Sequence, residues 1–228
     1  MGQAMPEVCL MVGMGESLGE ALVRKFAAQG IRVAFVGRRA ESVAQHEQRL
    51  RAMGLAATGY AADAADEQAM ADVVTRITSE WGAPTLLIYN AAVMQQGPLV
   101  DAPPSAARRS FEANALGALN SVQQVLPGMR QAGRGTILIS GGAAALHPHP
   151  GWGILALGKA ALRSITLSLA QELAPENIRV NSVVIHGSIQ YDPWYAPDRI
   201  ADTFWSIYAA PDANLPVEVE FKRPEEPS

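Results

Sequence analysis

A glycine-rich turn near the N-terminus holds the residues whose spacing is most suggestive of chemistry. An apolar run at 7–12 leads into the turn residues, which are Gly13, Gly15, Ser17, Leu18 and Gly19. Glycines let the main chain approach a ligand closely, and the N–H groups that open a helix attract anions. The pattern predicts a cradle for the phosphates of a dinucleotide. The alternative is a tight turn between strand and helix that binds nothing.

Further polar or unusual residues each follow or close a predicted strand. Together with the first glycine of the turn, the residues at strand ends are Gly13, Arg38, Asp63, Asn90, Ser140 and His186. The carboxyl ends of parallel strands meet at one edge of a sheet, and ligands bind at that edge. We therefore expect these residues to lie along one rim.

Alternating apolar runs and amphipathic segments predict the elements that position this rim. Strands are expected at 7–12, 32–36, 55–61, 85–89, 135–140, 178–185 and 215–221. Helices are expected at 18–29, 41–53, 67–81, 103–130, 153–173 and 199–209. This alternation predicts an α/β fold, a Rossmann-like doubly wound parallel β-sheet with helices on both faces. We expect a single domain over 1–221, with 186–210 as a substrate-side loop and short helix, and a tail at 222–228.

Composition narrows the classes of function. The chain has 228 residues, 49% of them hydrophobic, a net charge of −4 and a single cysteine. These values suit one buried core and argue against a nucleic-acid or anionic-membrane surface. The absence of a signal-peptide pattern and of ~18 uninterrupted apolar residues predicts a soluble, cytoplasmic protein. Cys9 is expected to be a buried, inert thiol, and no metal site is expected.

Together the motifs resemble the short-chain dehydrogenase/reductase family over about 7–221. The glycine turn of that family falls on Gly13, Ser17 and Gly19, so that serine replaces its middle glycine. The resemblance implies a nicotinamide dinucleotide cofactor and a small-molecule substrate. It also implies a homodimer or homotetramer.

The same resemblance assigns roles to residues farther along the chain. Asp63 and Ala64 match the position beside the adenine, and Asn90, Ala91 and Ala92 match the element after the fourth strand. Asn114 and Lys159 match two members of the catalytic tetrad, the lysine also reaching the nicotinamide ribose, and Ile189 would meet the carboxamide. Three of these residues also have a purely structural alternative. Asp63 could be a helix cap, Asn90 could link two strands, and Lys159 could be a solvated helix residue.

Two arginines at the end of the second predicted strand bear on the choice of cofactor. An acidic side chain there would accept hydrogen bonds from the ribose of NAD, whereas Arg38 and Arg39 suit the 2′-phosphate of NADP. NADP is therefore predicted over NAD. Glu16, inside the phosphate turn, argues the other way. Surface arginines that merely open a helix are the alternative, above all for Arg39.

The chain departs from the family at the proton donor. The family places a tyrosine one helical turn before the lysine, but position 155 is leucine, and its serine falls on Gly142. A misreading by two residues would make Ser140 the serine instead. Other candidate donors are His147, His149, His186, Tyr191 and Tyr195, each with loop packing as its alternative.

Aromatic residues concentrate toward the presumed substrate side. They are Trp152, Trp194, Tyr195, Phe204 and Trp205. They predict either walls for an apolar or aromatic substrate or an interface between subunits.

Three functions follow from these residues. The first is an atypical NADP-dependent oxidoreductase acting on an undetermined carbonyl or unsaturated small molecule. The second is a non-catalytic NADP-binding sensor or partner subunit, and the third is a lyase or isomerase on the same scaffold. Lys159 and Asn114 favour chemistry, whereas Leu155 and Gly142 favour binding alone.

Overall fold

The computed structural model describes residues 7–189, 191–210 and 215–224. Its strands are β1 (Val8–Val12), β2 (Arg32–Gly37), β3 (Ala57–Ala61), β4 (Leu86–Tyr89), β5 (Gly135–Gly142), β6 (Ile178–Ile185) and β7 (Glu218–Phe221). Its helices are α1 (Leu18–Ala28), α2 (Ala40–Ala52), α3 (Glu67–Trp81), α4 (Pro104–Phe111), α5 (Gly117–Ala132), α6 (Gly153–Leu173) and α7 (Pro197–Ala209).

The strands form one parallel sheet in the order β3-β2-β1-β4-β5-β6-β7. The chain winds outward from β1 to β3, returns to the centre at β4, and winds outward in the other direction to β7. Parallel neighbours need crossover connections, and the helices that supply them cover both faces. The predicted Rossmann-like α/β fold with a doubly wound sheet is confirmed.

Both faces of the sheet are buried, which explains the uniformly apolar strands. Leu10 and Val12 point to a core shared with α3, α5 and α6, whereas Cys9 and Met11 point to one shared with α1, α2 and α7. Cys9 is fully buried, and this burial raises the pKa of its thiol well above the ordinary value. The thiol is therefore inert packing material.

The predicted helix at 103–130 is divided. A π-helical segment, Glu112–Leu116, separates α4 from α5. The cause is a close approach between this helix and the end of β4: the Tyr89 hydroxyl donates to the Ala113 carbonyl, and a Cβ on Gly117 would lie 2.5 Å from that hydroxyl oxygen. This contact forms only when the sheet is folded, and no periodic pattern in the sequence indicates it.

Two sequence predictions concern the ends of the chain. The last predicted strand forms as β7, a parallel edge strand on β6. In the tail, Arg223 donates to the Asp192 carboxylate at 2.9 Å, and residues 225–228 lie outside the described residues.

Helix α6 with the turn that follows it, Gly153–Glu176, is long and apolar enough to cross a membrane by length and composition alone. In this structure it packs against β5, β6 and the π-helical segment. It is a core helix of the α/β fold, and its apolar composition follows from that burial.

Candidate functional site

A cavity of about 870 Å³ opens at the carboxyl edge of the sheet. It is lined by most of the residues singled out in the sequence, namely Gly13, Gly15, Ser17, Leu18, Gly19, Arg38, Asp63, Ala64, Asn90, Ala91, Ala92, Ser140, Lys159 and Ile189. Two others, Arg39 and Asn114, are not among the lining residues. The sheet topology thus brings segments that are far apart in the sequence to the lining of one cavity.

The glycine turn packs tightly where it must and is open where a ligand would lie. Gly13 has a φ of +103°, and a Cβ there would lie 2.2 Å from the Ala91 nitrogen. A Cβ on Gly19 would lie 2.7 Å from the Gly13 carbonyl oxygen. At Gly15, by contrast, a Cβ would meet no atom within 4 Å. The main chain is therefore folded closely against β4 and exposed toward the cavity.

Asn90 and Ser17 complete this cradle. The Asn90 side-chain amide donates to the Gly13 carbonyl at 3.0 Å. Asn90 therefore links the ends of two strands, as its structural alternative predicts, and it does so in the cavity wall. Ser17 precedes α1 and makes no side-chain cap with it. The first turn of α1 therefore presents N–H groups that no serine hydroxyl covers, as an anion site requires.

The loops after β2 and β3 border the cavity beside the glycine turn. Arg38 lines it with an exposed guanidinium, whereas Arg39 precedes α2 outside the lining. The Asp63 carboxylate accepts from the Ala65 nitrogen at 3.0 Å. The helix cap of α3 is Asp66, so the alternative that made Asp63 the cap is wrong.

One residue that positions this loop was not found from the sequence. Asn120, buried in α5, donates to the Ala64 carbonyl at 2.8 Å and fixes the turn beside Asp63. The only signal available was a polar residue on the inner face of an amphipathic helix. That signal does not say which carbonyl the amide meets.

Lys159 is buried in the cavity wall. Only 7% of the residue is exposed, so the alternative of a solvated helix lysine is wrong. Its Nζ donates to the Ser140 carbonyl at 2.6 Å. Burial without a charged partner lowers the pKa of Lys159 to about 8.

Leu155 and Gly142, the two positions at which the sequence predicts a departure from the family pattern, lie beside Lys159. Leu155 lines the cavity one helical turn earlier on α6 and has no proton to give. A Cβ on Gly142 would lie 3.9 Å from the lysine stem, an ordinary contact distance. A hydroxyl-bearing side chain would therefore fit at 142 without moving its neighbours.

Asn114 lies behind the cavity wall, within the π-helical segment. It is fully buried, and its amide donates to the Ser110 carbonyl at 3.0 Å. Its side-chain oxygen has no hydrogen-bond partner among the described residues. A Cβ on Gly158, next to Lys159, would lie 2.7 Å from the Asn114 amide nitrogen, so α6 and this segment pack as closely as their side chains allow.

The other candidate proton donors lie nearer the mouth of the cavity. His147 and His149 line it from an exposed loop, and Tyr191 is 75% exposed. His186 lines it with its Nε2 3.9 Å from a Glu220 oxygen. Tyr195 is buried against Phe221 and is not a lining residue.

Most of the aromatic residues expected to wall a substrate pocket lie elsewhere. Trp152 lines the cavity, but Trp194, Tyr195, Phe204 and Trp205 do not. Trp205 contacts Phe26 at a ring distance of 5.3 Å, and Phe204 is fully buried in the core beneath α7. The prediction of these four as substrate walls is wrong. Phe204 and Trp205 pack beneath α7 in the core shared with α1. Tyr195 packs on Phe221, and the Arg199 guanidinium lies over the Trp194 ring. The alternative of a subunit interface stays a prediction.

Comparison with known proteins gives consistent matches. Residues 7–189 match the family model described as short chain dehydrogenase. The chain is 31% identical over 77% of its length to dehydrogenase/reductase SDR family member 4 of Sus scrofa, of which it covers 63%. It is 30% identical over 89% of its length to 2,3-dihydro-2,3-dihydroxybenzoate dehydrogenase of Bacillus subtilis, of which it covers 74%.

Solved structures agree in fold. A metagenomic short-chain oxidoreductase in complex with NADP superposes with a TM-score of 0.84 at 26% identity, covering 94% of this chain and 96% of that chain. A short-chain dehydrogenase from Rhodopseudomonas palustris gives a TM-score of 0.84 at 25% identity, covering 96% of this chain and 99% of that chain.

The buried ammonium of Lys159 makes stability depend on pH. Its pKa is about 8 in the folded chain and ordinarily 10.5, so between these values the unfolded chain binds more protons. The free-energy cost of burying the charged ammonium applies in full below pH 8 and decreases as the pH rises above that value. Relative to Lys159→Met, the wild type should gain about 3 kcal/mol of unfolding free energy between pH 7 and pH 10.5, measured by urea denaturation.

Lys25→Met is the matched control for this experiment. Lys25 is partly exposed on α1 and pairs with Asp202 at 2.6 Å. Its removal should leave no comparable pH-dependent difference in unfolding free energy. A Lys159→Met difference that stays constant across this pH range would contradict the assigned burial penalty.

Proposed function

The chain belongs to the short-chain dehydrogenase/reductase family, and on that premise we propose that it is an atypical NADP(H)-dependent oxidoreductase acting on a carbonyl or other unsaturated small molecule. The observation that carries the proposal is that one cavity is lined by the open glycine turn, by Arg38 and by the buried Lys159. The Lys159 stem and the main chain at Gly15 are both accessible to one extended ligand.

The residues present fit a dinucleotide. The turn from Gly13 to Gly19 would hold the pyrophosphate, because its main chain is open at Gly15 and its helix start is uncapped by Ser17. Asp63 and Ala64 would border the adenine, and Asn90, Ala91 and Ala92 would border the adjoining ribose and linkage. Lys159 would donate to the nicotinamide ribose, with Ile189 near the carboxamide. When bound, the cofactor supplies or accepts a hydride.

Arg38 favours NADP over NAD. Its guanidinium is exposed at the cavity wall beside the end of β2, where a 2′-phosphate would lie. The NADP complex of the metagenomic relative supports this choice. Glu16 also lines the cavity, but its carboxylate is exposed to solvent, which weakens its repulsion of a phosphate.

The remaining walls suit an apolar small molecule. Beyond the cofactor positions, the cavity is bordered by Met94, Trp152, Leu155 and Ile185. Hydrophobic walls with a few polar groups are typical of sites that bind small organic substrates.

From the composition of the chain, we also propose that the enzyme is soluble and cytoplasmic.

We also propose a homodimer or homotetramer. Large apolar side chains are exposed around α4, the π-helical segment and α6: Leu99, Val100, Phe111, Leu116 and Leu157. A patch of this kind is typical of a subunit interface. Light scattering of the purified chain should give a dimer or tetramer mass, and a monomer at micromolar concentration would contradict this.

Arg38→Ala should weaken NADPH binding far more than NADH binding. Loss of a charged hydrogen-bond donor to the 2′-phosphate should raise the Kd for NADPH about tenfold to a hundredfold. The Kd for NADH should stay within about twofold, since NADH lacks that phosphate. Titration of cofactor fluorescence measures both.

Arg39→Ala is the matched control, because Arg39 is exposed and lies outside the cavity lining. It should change neither Kd appreciably. Equal or tighter NADH binding by the wild type would contradict the role given to Arg38.

A panel of apolar aldehydes and ketones tests the reaction itself. We expect carbonyl-dependent oxidation of NADPH by the wild type with at least one member of the panel. The variant Leu155→Tyr, alone and combined with Gly142→Ser, restores the groups that the family uses. If the wild type binds NADPH but turns over nothing while the double variant gains turnover, the chain is a non-catalytic NADP-binding protein.

A further inference from the structure

The cavity lacks a conventional proton donor at its buried end. Among the described lining residues, the titratable side chains at exposed or half-buried positions are Glu16, Arg38, Asp63, His147, His149, His186 and Tyr191. Lys159 is the one titratable lining residue in the described chain that is more than nine-tenths buried. Carbonyl reduction needs a proton at the oxygen as hydride reaches the carbon, and it needs that proton away from bulk water.

We propose that Lys159 itself donates this proton to the substrate oxygen, in place of the phenol that Leu155 removes. The inference rests on the proposed function, since it assigns the acid for that reaction. In the family that this chain resembles, the lysine serves the tyrosine and the ribose. Here the lysine would be the terminal donor.

The hydrogen bonds of Lys159 leave it free to do this. An ammonium group has three N–H donors. One is taken by the Ser140 carbonyl at 2.6 Å, and no carboxylate or phenol among the described residues accepts from the others. One donor can therefore meet the nicotinamide ribose while another meets a substrate oxygen.

The neighbours of Lys159 leave space for a substrate oxygen to approach. Leu155 ends in methyl groups at the position from which a phenol would reach over the lysine. Gly142 places no side chain beside the lysine stem, where a Cβ would be 3.9 Å from its Cγ, Cδ and Cε. Leu155 and Gly142 therefore both line the cavity beside Lys159 without placing a hydroxyl group there.

The proton balance of the step is simple. With a hydride from NADPH, the carbonyl carbon would gain both electrons and be reduced. The Nζ–H bond of Lys159 breaks as the new O–H bond of the alcohol forms. Lys159 is left as a neutral amine, which regains a proton from solvent before the next turnover.

The acidity of Lys159 suits this step. Its pKa of about 8 lies near neutral pH, where an acid is both protonated and able to release its proton. An ordinary solvated lysine would hold its proton too strongly. Burial is the cause of the lowered pKa, so the same wall that excludes water also makes the group a competent acid.

No neighbouring charge opposes this account. The elements packed against α6 are α4, the π-helical segment, β5, β6 and the turns at Ala143–Ala145 and Ala174–Glu176. The charged residues of these elements, of α6 besides Lys159, and of strand β7, which pairs with β6, are Arg108, Arg109, Glu112, Arg163, Glu172, Glu176, Arg179, Glu218 and Glu220. Glu176 pairs with Arg130 at 2.6 Å. Arg163 and Glu218 pair with each other at 2.7 Å, and burial is the sole cause of the lowered pKa of Lys159.

The histidines and Tyr191 are weaker candidates on geometry. His147, His149 and Tyr191 are exposed. The His186 Nε2 lies 3.9 Å from a Glu220 oxygen and has no hydrogen-bond partner among the described residues, so His186 is the histidine that the tests below must separate from Lys159. Groups at the mouth exchange protons with bulk water and lie away from the buried wall where Lys159 and Leu155 meet. The loop histidines therefore suit substrate contact better than proton donation.

The first test needs no turnover. The chain has three lysines, Lys25, Lys159 and Lys222, so acetic anhydride labelling from pH 6 to pH 10 can be resolved residue by residue by peptide mass spectrometry. Labelling of Lys159 should reach half its plateau near pH 8. Added NADP should protect Lys159 while Lys25 continues to react. Failure of Lys159 to react at any pH would overturn the inference, because an amine that small reagents cannot reach cannot meet a substrate.

The second test separates proton donation from a positioning role. Arginine keeps the positive charge but holds its proton with a pKa above about 12. Lys159→Arg should therefore lower kcat at least about 100-fold, while the Kd for NADPH stays within about fivefold. Wild-type kcat/KM should fall about tenfold per pH unit above the pKa of Lys159, and this alkaline limb should be absent in Lys159→Arg. Lys25→Arg, the same substitution on α1, should leave kcat, Kd and the pH profile unchanged.

The outcomes distinguish the two proposals. A wild-type enzyme that is silent with every carbonyl overturns the proposed function, and the role of Lys159 falls with it. Turnover that survives Lys159→Arg within about fivefold, or an alkaline limb that persists in that variant, overturns the role of Lys159 alone. Loss of the pH dependence in His147→Asn or His186→Asn instead would assign the proton to that histidine.

Discussion

The close approach of Gly13 to Ala91 is the constraint on which the cavity depends. It joins the exits of β1 and β4, the point at which the sheet changes its winding direction, and it leaves no room for a side chain. Asn90 closes the same junction by donating to the Gly13 carbonyl. Because this corner is fixed, the main chain at Gly15 and the start of α1 face the cavity in a defined geometry. The geometry of the glycine turn is therefore a property of strand order as much as of the glycines.

Burial determines the chemistry at the other end of the cavity. The apolar residues of α6 place Lys159 in a wall with one main-chain acceptor and no countercharge. No phenol stands at position 155, and the apolar surroundings lower the pKa of the lysine side chain itself. Leu155 and Gly142 both line the cavity beside Lys159, and neither places a hydroxyl group there.

The errors in the sequence interpretation have a common cause. The aromatic residues near the last rim segment predict either a substrate pocket or a subunit interface, but Trp205 on α7 packs against Phe26 on α1 and Phe204 is fully buried in the core. The division of the long helix at Glu112–Leu116 depends on the Tyr89 hydroxyl, which comes from a distant strand. Composition and local order indicate that such side chains are buried, and they do not indicate which neighbour buries them.

The sequence by itself determined the α/β alternation, the parallel sheet and the residues at its carboxyl edge, because these depend on apolar periodicity and on glycines at strand exits. It also predicts that Leu155 stands where the family has its tyrosine and that Gly142, or with a shift of two residues Ser140, stands where it has its serine. Only the tertiary structure decided that Arg38 lines the cavity and Arg39 does not, that Asn120 fixes the loop at Ala64, and that Lys159 is buried without a charged partner. These depend on distances between segments far apart in the chain, which spacing along the sequence does not encode.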